Sequence, residues 1–180
     1  RLHPPLTAML ARYPGPSGGF RPHLDNPGGG ADNGRALSVV LYLNAAGEPC
    51  AGGDYCVGLR IVENPLAAGG MGTSLAAGVS ATAEAAGWII GLADMPWILP
   101  GTIATLAGRL RAGASIVAPV HAGRRGHPVG FAARWRHELC ELTGDMGARG
   151  LLEAHAHLLE KLETDDQGVI GDIDVKDDLR

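Results

Sequence analysis

Cysteine is scarce in this sequence. The 180 residues contain three, Cys50, Cys56 and Cys140, and no two of them form a C-x-x-C pair. An odd number of cysteines without such a pair indicates neither a disulfide framework nor a zinc site. No secretory leader is recognised at the start of the chain. We therefore expect reduced thiols and a cytoplasmic protein.

Long apolar runs and an excess of positive charge are also missing. No run reaches the roughly 18 apolar residues of a membrane-spanning helix, which predicts no membrane partner. The net charge is -4 and the sequence pI is about 5.9, whereas a nucleic-acid surface needs a basic patch. Hydrophobic residues make up 46% and charged residues 19%, which predicts a packed core. An acidic protein that handles phosphates needs a metal ion or backbone amides to compensate the charge.

The composition changes near residue 60. Before that point the chain is rich in proline and glycine, with a predicted helix at 2–13 and predicted strands at 36–43 and 55–62. After it, helical and strand patterns alternate, which predicts right-handed crossovers and a mostly parallel sheet with flanking helices. The predicted helices are 74–86, 101–111, 133–142, 147–162 and 175–179, and the predicted strands, besides a central one, are 114–120, 128–132 and 169–173.

The central strand is the short apolar run at 88–92, bounded by a glycine and a proline. Such a run is typical of a parallel strand that is covered on both faces. Asp94 follows it, at the carboxyl end of the strand, where ligands bind in open α/β sheets. The alternative is that Asp94 only caps the next turn. Trp88 and Trp97 are both expected in the core.

The segment before residue 26 contains a possible metal-binding pair. His23-Leu24-Asp25 lies on a segment predicted to be extended, and residues two apart in a strand point to the same side. Two such ligands and one distant histidine form the facial triad of non-haem Fe(II) enzymes. The alternative is a chance pattern, because H-x-D is common.

Five segments carry a resemblance to a known family: AMLARYPG at 8–15, GFRPHLDNP at 19–27, GR at 34–35, LYLN at 41–44 and GG at 52–53. Over residues 4–61 the chain resembles the Fe(II)/2-oxoglutarate prolyl hydroxylases of the oxygen-sensing type. The resemblance implies a partial β jelly roll in which His23 and Asp25 ligate Fe(II), Tyr42 hydrogen-bonds 2-oxoglutarate and Tyr13 lines its pocket. The second iron-binding histidine and the arginine of that family have no counterpart downstream, so a structural remnant is the favoured interpretation.

Six later segments carry a second resemblance: NP at 64–65, GMGTSL at 70–75, LADMP at 92–96, RGHPV at 125–129, GDMGAR at 144–149 and DIDVKDDL at 172–179. Over residues 63–180 the chain is similar to the MobA-like nucleotidyltransferases, and most of all to molybdenum cofactor cytidylyltransferases. The resemblance implies a Rossmann-like fold and attack by the phosphate of a molybdopterin-type molecule on the α-phosphate of a nucleoside triphosphate, CTP, with release of pyrophosphate.

The resemblance also implies a Mg²⁺ site. Hard cations prefer carboxylate oxygens, and by resemblance Asp94 is the main metal ligand and the catalytic residue. Asp172 or Asp174 would supply the second ligand. For Asp174 the alternative is that it caps the predicted helix at 175–179.

Four more residues are candidate contacts with the substrates. Thr73 and Ser74 lead into a predicted helix, whose free amides attract anions, so they are candidates for a phosphate contact. The alternative is a plain capping turn. Arg125 and His127 lie in a predicted loop and are candidates for contact with the pterin-side substrate. The alternative for them is an ordinary exposed loop.

One feature of the second family has no counterpart in the sequence: the glycine-rich L-A-A-G-x-S-x-R-M-G loop and the lysine that follows it. We therefore expect poor nucleotide affinity and a sheet without one of its central strands. The predicted organisation is a partial oxygenase-like segment at 1–61 followed by a MobA-like domain at 62–180. The alternatives are an Fe(II)/2-oxoglutarate dioxygenase and an inactive fusion of two truncated families.

Overall fold

The computed structural model describes residues 6–12, 37–43, 60–92 and 94–173, and the elements below belong to those residues. The strands are β1 (Leu6–Arg12), β2 (Leu37–Leu43), β3 (Arg60–Glu63), β4 (Gly87–Leu92), β5 (Ile116–His121), β6 (Arg124–Arg125), β7 (Val129–Ala132) and β8 (Leu159–Glu163). The helices are α1 (Met71–Ser80), α2 (Pro100–Arg111), α3 (Arg136–Cys140) and α4 (Arg149–Ala154), and short 3₁₀ turns lie at Ala67–Gly69, Ala133–Trp135, Ala156–Leu158 and Gln167–Ile170. None of the helices in these ranges is long and apolar enough to cross a membrane.

The strands form one mixed sheet in the order β3-β1-β2-β4-β7-β5-β6, with β8 on β5. Parallel pairing joins β1 to β3 and β5 to β8. The other described neighbours are antiparallel, so the prediction of a mostly parallel sheet is wrong. The reason is that β2, β6 and β7 are reversed within it. Because β7 is antiparallel to both β4 and β5, those two strands still run in the same direction, and β8 runs with them.

The first two strands add to this same sheet. β2 pairs with the whole length of β4, with Tyr42 opposite Trp88, and β1 pairs with β2. The sheet therefore continues through the segment that was expected to be a partial jelly roll, and the structure gives no support to that part of the prediction.

The core lies on both faces of β4, as expected for a covered central strand. Trp88 and Ile90 belong to the cluster on one face, with Leu75 and Val79 of α1. Ile89 belongs to the cluster on the other face, which α2 covers. Trp88 and Ile89 are fully buried. The alternation of side chains along a strand thus gives a three-layer arrangement of helix, sheet and helix.

Several predicted elements differ from the observed ones. Residues predicted as a helix at 2–13 contain β1, and those predicted as one helix at 147–162 contain α4, a 3₁₀ turn and β8. In both places, pairing with neighbouring strands outweighs the local helical spacing of leucines. The predicted strand at 169–173 is wrong as well, because its first residues belong to the 3₁₀ turn Gln167–Ile170. The predicted helix at 175–179 lies outside the described residues.

An ion pair joins the helical layer to the strand β8. Arg109 of α2 donates through Nε to Oε1 of Glu160, and both side chains are partly exposed. The hydrogen bond with Glu160, and then its negative charge, raise the pKa of Arg109 above its usual value. The pair links α2 to β8, which lies at the side of the sheet beyond β5, and as a partly exposed ion pair it adds little to stability.

Candidate active site

The carboxyl ends of three strands bring together four of the residues that the sequence singled out, Asp94, Arg125, His127 and Asp172. β4, β5 and β8 run in the same direction and so end at the same edge. Asp94 follows β4, and His121 ends β5. The reversed strand β7 starts there, because Val129 lies opposite Ile90 near the end of β4. His127, two residues before Val129, is therefore brought to the same edge as Asp94.

Asp94 lies in a turn, half-buried. Its Oδ1 is buried and has no hydrogen-bond partner within the described residues. Burial of a carboxylate oxygen without a partner is costly, and such an atom calls for an ion or a water molecule. Carboxylate oxygens are the ligands that Mg²⁺ prefers. By this test Asp94 fits a divalent cation.

Asp172, one of the two candidates for the second metal ligand, is held near Asp94 by a backbone hydrogen bond of its neighbour. The amide of Ile173 donates to the carbonyl oxygen of Asp94 at 2.8 Å, so Asp172, the preceding residue, lies beside the Asp94 turn. The side chain of Asp172 is exposed. Asp174 lies outside the described residues. In the described ranges no three histidine, cysteine or acidic side chains are grouped so as to hold a metal ion, and the shared metal site stays a prediction.

Arg125 and His127 flank a loop that is tightly packed. Arg125 is exposed at the end of β6, and His127 is half-buried. The amide of Gly126 donates to Pro119 at 2.8 Å, and the amide of His127 donates to the carbonyl oxygen of Val169, also at 2.8 Å. A Cβ atom on Gly126 would lie 2.1 Å from that same carbonyl oxygen. The backbone of the loop is therefore fixed, while the guanidinium of Arg125 faces solvent. The predicted substrate contacts stay predictions.

Thr73 and Ser74 have structural partners in this fold. Helix α1 begins at Met71 rather than at residue 74. Asn64 donates through Nδ2 to the hydroxyls of Thr73 and Ser74, at 2.8 and 2.9 Å. Thr73 donates in turn to the carbonyl oxygens of Leu66 and Gly70, and Ser74 is fully buried. These bonds give both hydroxyls partners within the local structure, but neither hydroxyl caps α1, because the N-cap residue is Gly70 and no side chain makes a capping bond there.

The predicted iron site and most of its surroundings lie outside the described residues. His23, Asp25 and Tyr13 lie outside the described residues. Tyr42 lies in β2, where only the backbone is described. The oxygenase interpretation thus gains no support from the geometry.

The sequence analysis misplaced one residue near Asp94 and missed the structural role of another. Trp97 was expected in the core, yet it is 39% exposed. Asp166 is 6% exposed and accepts hydrogen bonds from the amide of Leu99, the hydroxyl of Thr102 and the amide of Gly168. An aspartate two residues before a glycine is typical of a turn in which the side chain bonds the backbone, and this pattern was the available signal.

Three known structures with a similar fold are of mycobacterial proteins. A homologue of Mycobacterium tuberculosis Rv0371c from Mycobacterium sp. strain JC1 is 30% identical, with a TM-score of 0.57, over 68% of this chain and 61% of its own. Rv0371c from M. tuberculosis H37Rv is 24% identical, with a TM-score of 0.54, over 73% and 65%. A complex of Rv0371c with manganese is 25% identical, with a TM-score of 0.52, over 74% and 68%. The chain thus spans less than two thirds of the first two of these proteins.

The family is shown by the sequence itself. Among curated proteins no match is found, and neither this comparison nor the structural ones support the resemblance to prolyl hydroxylases. Residues 35–159 match the model of the MobA-like NTP transferase domain. The match begins before β2 and so includes a strand that was assigned to the oxygenase-like segment. Since it covers well over half of the 180 residues, the chain belongs to the MobA-like NTP transferase domain family.

Proposed function

We propose that this chain is a nucleotidyltransferase domain that transfers CMP from CTP to the phosphate of a molybdopterin-type cofactor. In this reaction an oxygen of the acceptor phosphate forms a bond to the α-phosphorus of CTP. The bond from that phosphorus to the bridging oxygen breaks, and pyrophosphate leaves. The observation that carries the proposal is the buried, unpartnered Oδ1 of Asp94 at the carboxyl end of β4, in a chain of this family.

Asp94 is the proposed metal ligand. A divalent cation, when bound, would neutralise the charge of the triphosphate and of the leaving pyrophosphate. Asp94 contributes one negative charge from a buried oxygen, and Asp172 or Asp174 is the proposed second ligand. The neighbour Rv0371c was solved in complex with manganese, and Mn²⁺ is therefore a suitable probe for this site.

Arg125 and His127 are proposed to bind the acceptor. Arg125 is exposed at the same end of the strands as Asp94 and carries the positive charge that a phosphate needs. The fixed backbone of the loop would hold its side chain toward the acceptor without further ordering of the main chain. Thr73 and Ser74 are left out of the proposed substrate contacts, because Asn64 already bonds both hydroxyls.

Nucleotide binding is expected to be weak. The sequence contains no counterpart of the glycine-rich loop by which this family was expected to wrap the triphosphate. An assay of the chain should therefore use CTP at millimolar concentrations, and metal binding should be measured independently of turnover.

The experiment compares the wild-type chain with two variants that each remove one carboxylate charge. Asp94→Asn removes the proposed ligand with little change in shape. Glu84→Gln is the matched control, since Glu84 is exposed in the turn before β4, at the opposite end of that strand. Binding of Mn²⁺ is followed by the electron paramagnetic resonance signal of the free ion, and pyrophosphate release from CTP is followed with Mg²⁺ and a molybdopterin-type acceptor.

We expect Asp94→Asn to weaken Mn²⁺ binding by at least about tenfold, since loss of even an outer partner of a metal site has that effect, and to abolish pyrophosphate release. Glu84→Gln should behave as the wild type. Unchanged Mn²⁺ affinity in Asp94→Asn would refute the assignment of Asp94. If the chain binds Mn²⁺ and releases pyrophosphate from another nucleoside triphosphate but not from CTP, then CTP is not the substrate and the other nucleotide takes its place in the proposal.

A further inference from the structure

A buried carboxylate outside the predicted site organises the surroundings of Asp94. Asp166 is 6% exposed. Its Oδ2 accepts from the amide of Leu99 at 2.8 Å and from the hydroxyl of Thr102 at 2.6 Å. Its Oδ1 accepts from the amide of Gly168 at 2.9 Å. Both oxygens thus accept hydrogen bonds from the chain, so Asp166 is placed to hold the backbone.

Asp166 begins a segment, residues 166–173, that we term the clamp. The clamp contacts the Asp94 turn at its far end, where the amide of Ile173 donates to the carbonyl oxygen of Asp94. It also contacts the chain after Asp94 closely, because a Cβ atom on Gly168 would lie 2.2 Å from the carbonyl oxygen of Trp97. The stretch from Asp94 to Thr102 is therefore held by the clamp at several points.

The clamp also reaches the second loop of the site. The carbonyl oxygen of Val169 accepts from the amide of His127 at 2.8 Å, and Gly126 packs directly on Val169. One short segment is therefore bonded both to the turn that carries Asp94 and to the loop that follows Arg125. Through these contacts the clamp sets the position of one loop relative to the other.

We propose that Asp166 is a positioning residue, which holds the Asp94 turn through the clamp in the geometry that binds the divalent cation. This inference rests on the proposed function, because it takes Asp94 as the metal ligand. Asp166 acts through the hydrogen bonds that it accepts from the amide of Leu99 and the hydroxyl of Thr102, both of which follow Trp97 in the chain. The bond from the amide of Ile173 carries the constraint to Asp94 itself. A carboxylate is needed at 166 because three donors converge on its two oxygens.

The test measures Mn²⁺ affinity in the full chain, at a temperature where each variant is folded by circular dichroism. Asp166→Asn keeps one acceptor oxygen and removes the other. Asp165→Asn is the matched control, since Asp165 is the adjacent, exposed aspartate. We expect Asp166→Asn to weaken Mn²⁺ binding about tenfold, the effect of removing an outer partner of a metal site, and Asp165→Asn to leave it unchanged.

A second pair of variants removes a single bond and does not depend on Asp166→Asn being folded. Thr102→Val deletes the hydroxyl that donates to Asp166, whereas Thr102→Ser keeps it. We expect weaker Mn²⁺ binding in Thr102→Val, by less than in Asp166→Asn, and near wild-type binding in Thr102→Ser. A purely structural role of Asp166 would lower the melting temperature of the variants but leave the Mn²⁺ affinity of the folded protein intact.

The outcomes separate this inference from the proposed function. If Asp94→Asn weakens Mn²⁺ binding while Asp166→Asn and Thr102→Val do not, the positioning role is refuted and the metal site stands. If Asp94→Asn leaves binding unchanged, or if the wild-type chain binds no Mn²⁺, both proposals fail.

Discussion

The contact between Gly168 and Trp97 makes a sharp prediction about stability. A Cβ atom at residue 168 would lie 2.2 Å from the carbonyl oxygen of Trp97 and 2.7 Å from the amide nitrogen of Ile98. Both are backbone atoms, so no side chain can rotate away. In Gly168→Ala either the clamp or the backbone at 97–98 must move by about 1 Å, and overpacking of this kind costs about 1–3 kcal/mol. Alanine also restricts the unfolded chain, which offsets about 0.4–1 kcal/mol of that cost.

We therefore expect Gly168→Ala to lower the free energy of unfolding by about 1–2 kcal/mol, which for a chain of this length lowers the melting temperature by roughly 2–8 °C. The control is Gly108→Ala in α2, where a Cβ atom would meet no other atom within 4 Å. That substitution should stabilise by about 0.5–1 kcal/mol, because glycine is unfavourable inside a helix. Urea unfolding followed by circular dichroism measures both. A Gly168→Ala variant as stable as the wild type would show that residues 97–98 do not pack on the clamp.

Three further substitutions test the packing of the sheet by the same unfolding assay. Thr82→Val removes the buried acceptor of the indole N–H of Trp88 and should lower the free energy of unfolding by about 1–3 kcal/mol. The same change at the exposed Thr105 is the control and should lower it by under about 0.5 kcal/mol. Equal losses in the two variants would contradict the role of the buried bond. Leu106→Ala leaves a cavity at a fully buried position of α2 and should lower the free energy of unfolding by about 2–5 kcal/mol. A loss under about 0.5 kcal/mol, as is usual for surface residues, would contradict the burial of Leu106. Glu153→Gln breaks an exposed ion pair within α4 and should change the free energy of unfolding by only about 0.3–0.5 kcal/mol, so a large loss would reveal further partners.

The central part of the fold could be predicted because its local patterns agree with its tertiary contacts. The apolar run at 88–92 becomes β4, and the helix predicted at 101–111 is α2 within one residue of each bound. The position of Asp94 was predicted from the same apolar run. A strand that is buried on both faces is continuously apolar, so the first charged residue after it indicates where the strand has ended.

The errors lie where distant pairing decides the structure. Leu158, Leu159 and Leu162 have helical spacing, but residues 159–163 pair with β5 as a parallel strand. Three of the five residues of that strand are charged, Glu160, Lys161 and Glu163, and charged side chains are typical of a strand at the edge of a sheet. The reversal of β7 could not be read from its own residues, because strand direction depends on how the connecting chain returns to the sheet.

Only part of the candidate site could be predicted, because the residues that support it are not chemically distinctive. Asp94 stands out as a lone acid after a buried strand, whereas Asp166 is one of several acidic residues near the end of the described chain. What distinguishes Asp166 is the convergence of Leu99, Thr102 and Gly168 on its carboxylate. Two of those donors lie more than sixty residues away in the sequence, so no local pattern contains them.

The same separation has a consequence for the order in which the protein matures on the ribosome. Leu99 and Thr102 are synthesised 67 and 64 residues before the carboxylate that anchors them. Contacts between such distant residues form late, because they must overcome the entropy of closing a long loop. The core around β4 can assemble while translation continues, but under the proposed role of Asp94 a cation would find its ordered carboxylate only after the clamp has emerged from the exit tunnel.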